Sequence, residues 1–168
     1  MSFENLRNAL VKMPSTGPDG FEGLAALLLS ALTADVFYVA RSGDQPADAL
    51  SAAGDVAMQG KRYDRTPLDE TDFEGDFHKA CRLCPKLDCY VLAATRATAQ
   101  LNSLARELEN RTGIDVILLQ FDAPESELPA LCVTFWDRIK SFPKLSGLGS
   151  DFAAWAAGEA QQIGRAHV

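Results

Sequence analysis

Two continuous apolar runs constrain the fold of this chain more than any other feature. They read CYVLAA at residues 89–94 and IDVILLQF at residues 114–121, so apolar side chains fall on both faces of each segment. Runs of this length are typical of strands that helices cover on both faces of a sheet. Segments with helical periodicity precede, separate and follow the two runs. The sequence therefore predicts an α/β fold with a mixed central β-sheet flanked by helices.

The remaining elements follow from periodicity and from helix start and stop signals. Asp19 with Glu22, and Thr71 with Glu74, have the spacing of capping boxes that begin helices. Residues 41–54 are polar and are interpreted as a hairpin-like excursion between two strands. The predicted helices cover about 3–13, 19–32, 71–84, 101–112, 128–139 and 150–156, and the two further predicted strands cover 36–40 and 54–63.

Composition and charge limit the class of protein. The chain has 168 residues, of which 47% are hydrophobic and 23% are charged, so residues 1–168 are predicted to form a single domain. The formal net charge of -7 argues against a stand-alone, tight binder of polyanions. No apolar run approaches the roughly 18 residues of a membrane helix, and the N-terminus lacks the apolar segment of a signal peptide. We therefore expect a cytoplasmic protein with no membrane partner, whose cysteines stay reduced.

The strand at 54–63, GDVAMQGKRY, carries two polar side chains that packing does not require. Because strand side chains alternate between faces, Val56 and Met58 point to one face, whereas Gln59 and Lys61 point to the other. An amide and an ammonium two residues apart suit a metal-dependent phosphodiesterase, which needs a metal ligand close to a cation. The alternative is a solvated amide and ammonium at the end of a strand. The pair is a candidate catalytic motif, and a second carboxylate is expected from elsewhere in the chain.

A second constellation contains three of the four cysteines. His78, Cys81, Cys84 and Cys89 have the spacing H-x2-C-x2-C-x4-C, which is compatible with a zinc or iron-sulfur site. Cys81 and Cys84 also continue the apolar stripe of the helix at 71–84, and Cys89 begins an apolar strand. Buried thiols explain the three cysteines without a metal and are the preferred interpretation, with metal binding as the alternative.

Three short motifs occur in a fixed order along the chain. They are FE at 21–22, at the start of a buried helix, GDQPAD at 43–48 in the excursion, and QGK at 59–61 in the following strand. In kind and order they resemble the motifs of the Mrr-like branch of the PD-(D/E)xK nuclease superfamily, although the middle motif lacks the family's glycine. The resemblance spans about residues 18–121. It implies a restriction-endonuclease-like core, followed by a helical C-terminal part at about 125–163.

The resemblance implies a set of site residues. Asp48, the side-chain oxygen of Gln59 and the main-chain carbonyl of Gly60 would hold one Mg²⁺ or Mn²⁺ ion. Lys61 would activate the attacking water or stabilise the charge that develops on the phosphate. Glu22 would act in catalysis beside the metal, although a capping box also explains its position near the start of a helix.

Two aspartates compete for the metal position. Asp55 lies four residues before Gln59 on the same strand, about 13 Å away at ~3.3 Å per residue. Asp48 can fold back beside Gln59 across a ladder, where facing Cβ atoms are about 5 Å apart. Asp48 is therefore the preferred ligand, and Asp55 is the alternative if the hairpin is kinked.

The function implied by the resemblance is that of a Mg-dependent deoxyribonuclease, an endonuclease that hydrolyses DNA phosphodiester bonds. The chain also resembles the N-terminal nuclease effector domains of bacterial antiphage defence proteins. The expected partners are then double-stranded DNA and a sensor or NTPase domain, or a separate partner, that oligomerises the chain. The alternative is a catalytically silent nuclease-like module for interaction or oligomerisation, which explains the acidic net charge more easily.

Overall fold

The computed structural model describes residues 2–40, 45–122 and 126–166. These residues form a five-stranded mixed sheet flanked by helices, which confirms the predicted α/β class. None of the described helices is long and apolar enough to span a bilayer. The helices are α1 (Ser2–Lys12), α2 (Phe21–Thr33), α3 (Glu70–Leu83), α4 (Gln100–Thr112), α5 (Glu127–Thr134), α6 (Trp136–Ile139), α7 (Pro143–Ser146) and α8 (Gly149–Ala166). The strands are β1 (Phe37–Val39), β2 (Ala49–Ser51), β3 (Val56–Lys61), β4 (Cys89–Ala94) and β5 (Asp115–Leu119).

The strands follow one another across the sheet in chain order. The first three form an antiparallel meander, whereas β3, β4 and β5 are parallel. Ala49 and Leu50 of β2 face Met58 and Ala57 of β3. Because β2 pairs with the first half of β3, residues 59–61 have an open side where a longer β2 would lie.

Two apolar clusters cover the two faces of the sheet. The first cluster lies between the sheet and helices α1, α2 and α5 to α8, and it contains Met58 and Val91. The second cluster lies between the sheet and helices α3 and α4, and it contains Ala57 and Tyr90. Neighbouring residues of β3 and of β4 thus enter opposite clusters, as the two-residue period of a strand requires.

The structure corrects three predicted features. The excursion at 41–54 contains β2, which the sequence prediction missed because three residues are too few to show a period. The predicted helix at 128–139 is interrupted at Phe135, whose backbone leaves helical values (φ -106°, ψ 28°), so α5 and α6 are separate helices. At the edge of the sheet, Ile117 of β5 is 44% exposed, so β4 and not β5 is covered along both faces.

The capping box predicted at the start of α2 is wrong. This helix begins at Phe21 after Gly20, with no side-chain cap. The carbonyls of Pro14 and Ser15 instead accept hydrogen bonds from the N–H groups of Phe21 and Glu22, at 2.8 and 3.2 Å. The preceding loop therefore satisfies first-turn donors that a side-chain cap would otherwise satisfy.

The start of α3 also differs from the prediction. Asp69 is its N-cap, and the carboxylate accepts a hydrogen bond from the Asp72 N–H at 2.9 Å, so Thr71 lies inside the helix. The end of α3 before Pro85 agrees with the prediction. So does the end of α4 at Gly113, whose φ of 74° suits glycine.

Two helical glycines provide a matched test of how tightly the loop packs against α2. A Cβ on Gly23 would lie against the carbonyl oxygen of Pro18 and 2.8 Å from that of Gly17, whereas a Cβ on Gly75 of α3 would meet nothing within 4 Å. We expect Gly23→Ala to lower the free energy of unfolding by about 1–3 kcal/mol and Gly75→Ala to raise it by about 0.5–1 kcal/mol. Urea denaturation measures both values. Equal effects would show that the loop moves away from α2 without cost.

Candidate active site

The candidate residues meet at the open side of β3. Asp48 directly precedes β2, and its Oδ2 accepts a hydrogen bond from the Gly60 N–H at 2.7 Å. The carboxylate takes the place that a backbone carbonyl would hold in a longer β2–β3 ladder. Its own carbonyl accepts from the Ala40 N–H at 2.7 Å, which ties Asp48 to the end of β1 as well. The meander thus brings Asp48 beside Gln59 and Gly60, as the fold-back across the ladder predicts.

Glu22 reaches the same place from the first turn of α2. The helix packs against β3 at Gly60, where a Cβ would be in ordinary van der Waals contact, 3.6 Å from both Cα and Cγ of Glu22. Glu22 and Asp48 share a hydrogen bond, in which protonated Glu22 donates to the Asp48 carboxylate. Two of the predicted site residues are therefore in direct contact.

Burial and mutual repulsion change how the two carboxyl groups titrate. Burial, together with the charge and hydrogen bond of Asp48, raises the pKa of Glu22 from 4.5 to about 7. Burial also raises the pKa of Asp48, although the Gly60 N–H and the charge of Lys61 favour its ionised form. Near neutral pH the pair therefore shares a proton that Glu22 holds in part of the molecules.

Lys61 forms an ion pair that the sequence analysis missed. Its Nζ lies 2.9 Å from Oδ2 of Asp76 in α3, and the two side chains are 24% and 29% exposed. Burial lowers the pKa of Lys61, but the hydrogen bond and charge of Asp76 outweigh it, so the pKa is raised and the ammonium stays charged. The sequence does contain a signal for this residue. Asp76 lies between Phe73 and Phe77, at the border of the buried stripe of α3.

Tyr90 of β4 forms an apolar wall next to this ion pair. Its ring packs edge to face on Phe77 with centroids 5.4 Å apart, and its buried hydroxyl has no hydrogen-bond partner among the described residues. Burial and the charges of Asp76 and Asp48 raise the pKa of Tyr90 well above its usual value, so the hydroxyl stays neutral. A wall of low dielectric strengthens the attraction between Lys61 and Asp76.

Glu22, Asp48, Gln59 and Asp76 are among the residues that line an open cleft of about 400 Å³. Carboxylate, ammonium and amide groups face one space that is wide enough for a phosphate group and an ion. Lys61 adjoins the cleft through its contact with Asp76. The charged and amide side chains that line the cleft are Glu22, Gln45, Asp48, Gln59, Asp76 and Lys79.

The donor atoms in the cleft fit a hard divalent ion. Mg²⁺ and Mn²⁺ prefer carboxylate, amide and carbonyl oxygens, which Glu22, Asp48 and Gln59 offer from their side chains. The Gly60 carbonyl points to the same side of β3 as the N–H that binds Asp48. Within the described part of the chain, no group of three or more His, Cys, Asp or Glu side chains is placed to hold a metal. An ion in the cleft would therefore depend on the amide and main-chain oxygens beside the carboxylate pair.

Asp55, the alternative aspartate, lies at the opposite end of β3. Its Oδ1 accepts a hydrogen bond from the Ser51 hydroxyl at 2.7 Å. The same hydroxyl oxygen accepts from the N–H groups of Asp55 and Val56. The geometry thus gives Asp55 a structural role at the β2–β3 turn. Of the middle motif, Gly43 and Asp44 lie outside the described residues.

The sheet separates the cysteines of the H-x2-C-x2-C-x4-C pattern. Cys81 and Cys84 pack in the second cluster, whereas Cys89 packs against the first. Burial raises the pKa of all three thiols, and that of Cys89 to about 11. His78 contacts Glu74 at 3.4 Å on the exposed side of α3. This arrangement favours separate, partly or fully buried thiols over one shared metal site.

No protein-family model, curated protein or solved structure matches the chain. The resemblance to Mrr-like nucleases therefore stays a prediction from three motifs. Any functional assignment depends on those motifs and on the geometry of the cleft.

Neutralising Glu22 should produce a gain in stability that depends on pH. Because folding raises the pKa of Glu22 from 4.5 to about 7, the wild-type protein loses stability as the pH rises through this interval. We expect Glu22→Gln to match the wild type at pH 4 and to be more stable at pH 8 by on the order of 1–2 kcal/mol, discounted for partial exposure. Urea denaturation at both pH values measures the difference.

The matched control is Glu107→Gln, because the Glu107 side chain is 63% exposed on α4, where it lies 3.7 Å from Arg111. This variant should show no comparable gain between pH 4 and pH 8. A Glu22→Gln protein less stable than the wild type at pH 8 would contradict the titration described above.

Proposed function

We propose that this protein is a metal-dependent endonuclease that hydrolyses DNA phosphodiester bonds, with a restriction-endonuclease-like core of the Mrr-like PD-(D/E)xK type. The observation that carries the proposal is the contact between Glu22 and Asp48 beside Gln59, Gly60 and Lys61. These groups come from three separate segments, which are helix α2, the residue before β2, and strand β3. Such a cluster of desolvated charges costs stability and is typical of functional sites.

A divalent ion would be held by Asp48, the side-chain oxygen of Gln59 and the main-chain carbonyl of Gly60, with Glu22 adjoining. When bound, Mg²⁺ or Mn²⁺ supplies Lewis-acid activation of water and neutralises phosphate charge. The proton on the carboxylate pair competes with the ion, because a carboxylate ligand must be ionised. Metal affinity should therefore rise with pH up to about pH 7, the pKa of Glu22.

Two side chains have roles in moving and stabilising charge. Ionised Glu22, with a pKa of about 7, can accept the proton of the attacking water at neutral pH. Lys61 stays protonated and can stabilise the negative charge on the phosphate. Asp76 is a positioning residue in this scheme, because it holds the Lys61 ammonium at the border of the cleft.

The proposal includes a cellular context, in which the chain acts in the cytoplasm as an effector domain of a bacterial antiphage defence protein. With a net charge of -7, a single copy is repelled by double-stranded DNA and should bind it weakly. A sensor or NTPase domain, or a partner that oligomerises the chain, would raise the effective concentration and add avidity. Activity would then depend on assembly.

One observation favours a second candidate, a catalytically silent nuclease-like module for interaction or oligomerisation. Asp76 neutralises Lys61 at 2.9 Å, and the shared proton leaves Glu22 and Asp48 with a single negative charge between them, in a cleft that Lys79 also lines. The cleft therefore carries little net charge without a substrate. A silent module would keep these contacts but would not cut DNA. Activity measurements separate the two candidates.

Removal of the Lys61 ammonium tests the endonuclease proposal. Supercoiled DNA incubated with Mg²⁺ or Mn²⁺ at high protein concentration should be nicked by the wild type. Lys61→Ala should lower the rate by about 100-fold or more, because a charge that stabilises the transition state is lost. Lys140→Ala is the matched control, since Lys140 forms a comparable ion pair with Asp137 at 3.0 Å on the exposed surface. Cleavage that survives Lys61→Ala, or a chelator, would contradict the assignment.

A further inference from the structure

A larger cavity adjoins the candidate cleft. Its volume is about 940 Å³, and β1, β2, Ala40 and residues 45–47 contribute to its walls. Thr16, Gln45 and Pro46 line both spaces, so cleft and cavity form one continuous groove. The volume lies in the range of about 300–1,000 Å³ that is usual for small-molecule sites. The protein therefore has room for a chemical group beside the phosphate.

The described residues that line this cavity are uncharged, in contrast to several of those that line the cleft. Although 23% of the residues in the chain are charged, the fifteen described residues that line the cavity include no Asp, Glu, Lys or Arg. A phosphate placed among them would lose hydration without gaining a cationic partner. The cavity, called the neutral groove below, therefore suits an uncharged group.

Tyr38 supplies an aromatic surface to the neutral groove. Its side chain is 65% exposed although it lies in β1, opposite Leu50 of β2. A ring this exposed contributes little to the core and offers a face on which a flat heterocycle can stack. Pro46 adds an apolar wall, and Thr16 and Gln45 offer hydrogen-bonding groups where the neutral groove meets the cleft.

From this arrangement we propose that the neutral groove binds an unstacked DNA base of the strand whose phosphate occupies the cleft. The inference rests on the proposed nuclease function and specifies its substrate as single-stranded or locally unpaired DNA. In a continuous duplex the bases are stacked inside and the surface presents phosphates, so a base must leave the stack to reach a pocket. The net charge of -7 agrees with this substrate, because a surface that follows a duplex backbone requires many cations.

Cleavage of three DNA substrates of one sequence tests the inference: a single strand, a fully paired duplex, and a duplex with one unpaired nucleotide. The wild type should cut the first and third at least tenfold faster than the paired duplex. Tyr38→Ala should lower those two rates by about 5- to 150-fold, the factor that stacking of a base on an aromatic ring supplies. Tyr38→Phe keeps the ring and should keep the rates. Ile117→Ala, which alters an exposed apolar side chain at the other edge of the sheet, is the control.

A binding measurement separates this inference from the proposed function. A single strand that contains 2-aminopurine, mixed with the protein and Ca²⁺, should lose fluorescence when the base stacks in the neutral groove. Tyr38→Ala should abolish the quenching, and Tyr38→Phe should preserve it. Such a result supports the neutral groove even if no substrate is cut, and in that case the nuclease proposal alone fails.

Two results would overturn the neutral groove. One is equal cleavage of the paired duplex and the single strand by the wild type. The other is quenching and substrate preference that persist unchanged in Tyr38→Ala. In either case the nuclease proposal stands as long as Lys61→Ala abolishes cleavage.

Discussion

The hydrogen bond from the Gly60 N–H to the Asp48 carboxylate, at 2.7 Å, determines how the rest of the site is arranged. It replaces a ladder bond just before β2 begins, where the last residues of β3 have an open side. Leaving that N–H without an acceptor would cost about 1–3 kcal/mol. Helix α2 packs against β3 at Gly60 and brings Glu22 into contact with Asp48. One backbone donor and one contact between a helix and a strand thus bring together groups from three segments.

Charge is fully or partly balanced within two pairs of side chains. Glu22 and Asp48 share a proton near neutral pH, and Lys61 is neutralised by Asp76. Both balances can be disturbed by a bound ion or phosphate, since an ion displaces the proton and a phosphate competes with Asp76 for the ammonium. The described walls of the neutral groove carry no charged side chain, so the proposed site for a base is separate from the charged groups of the cleft. Burial and repulsion of the two carboxyl groups lower the stability of the folded protein, which is the usual consequence of building a reactive site.

The sequence predicts those helices and strands that are long enough for their apolar side chains to show a regular spacing. The bounds of β4 and the alternation of Met58 and Ala57 between the two faces follow directly from the order of side chains. β2 is too short for that, and the caps of α2 come from loop carbonyls, whose positions depend on tertiary packing. At the site, the approach of Asp48 to Gln59 follows from strand geometry. Asp76 was missed because its position at the border of the buried stripe of α3 does not identify its partner Lys61, which depends on how α3 packs over β3.

The most direct measurement is an anomalous difference map from a crystal of the protein soaked in Mn²⁺ at pH 8, where Glu22 is ionised. We predict one peak between the Asp48 carboxylate and the Gln59 side chain. Asp48→Asn should remove the peak, whereas Asp55→Asn should keep it, because Asp55 bonds to Ser51 at the other end of β3. A peak at Asp55, or an empty cleft at a Mn²⁺ concentration that supports cleavage, would contradict the proposed metal site.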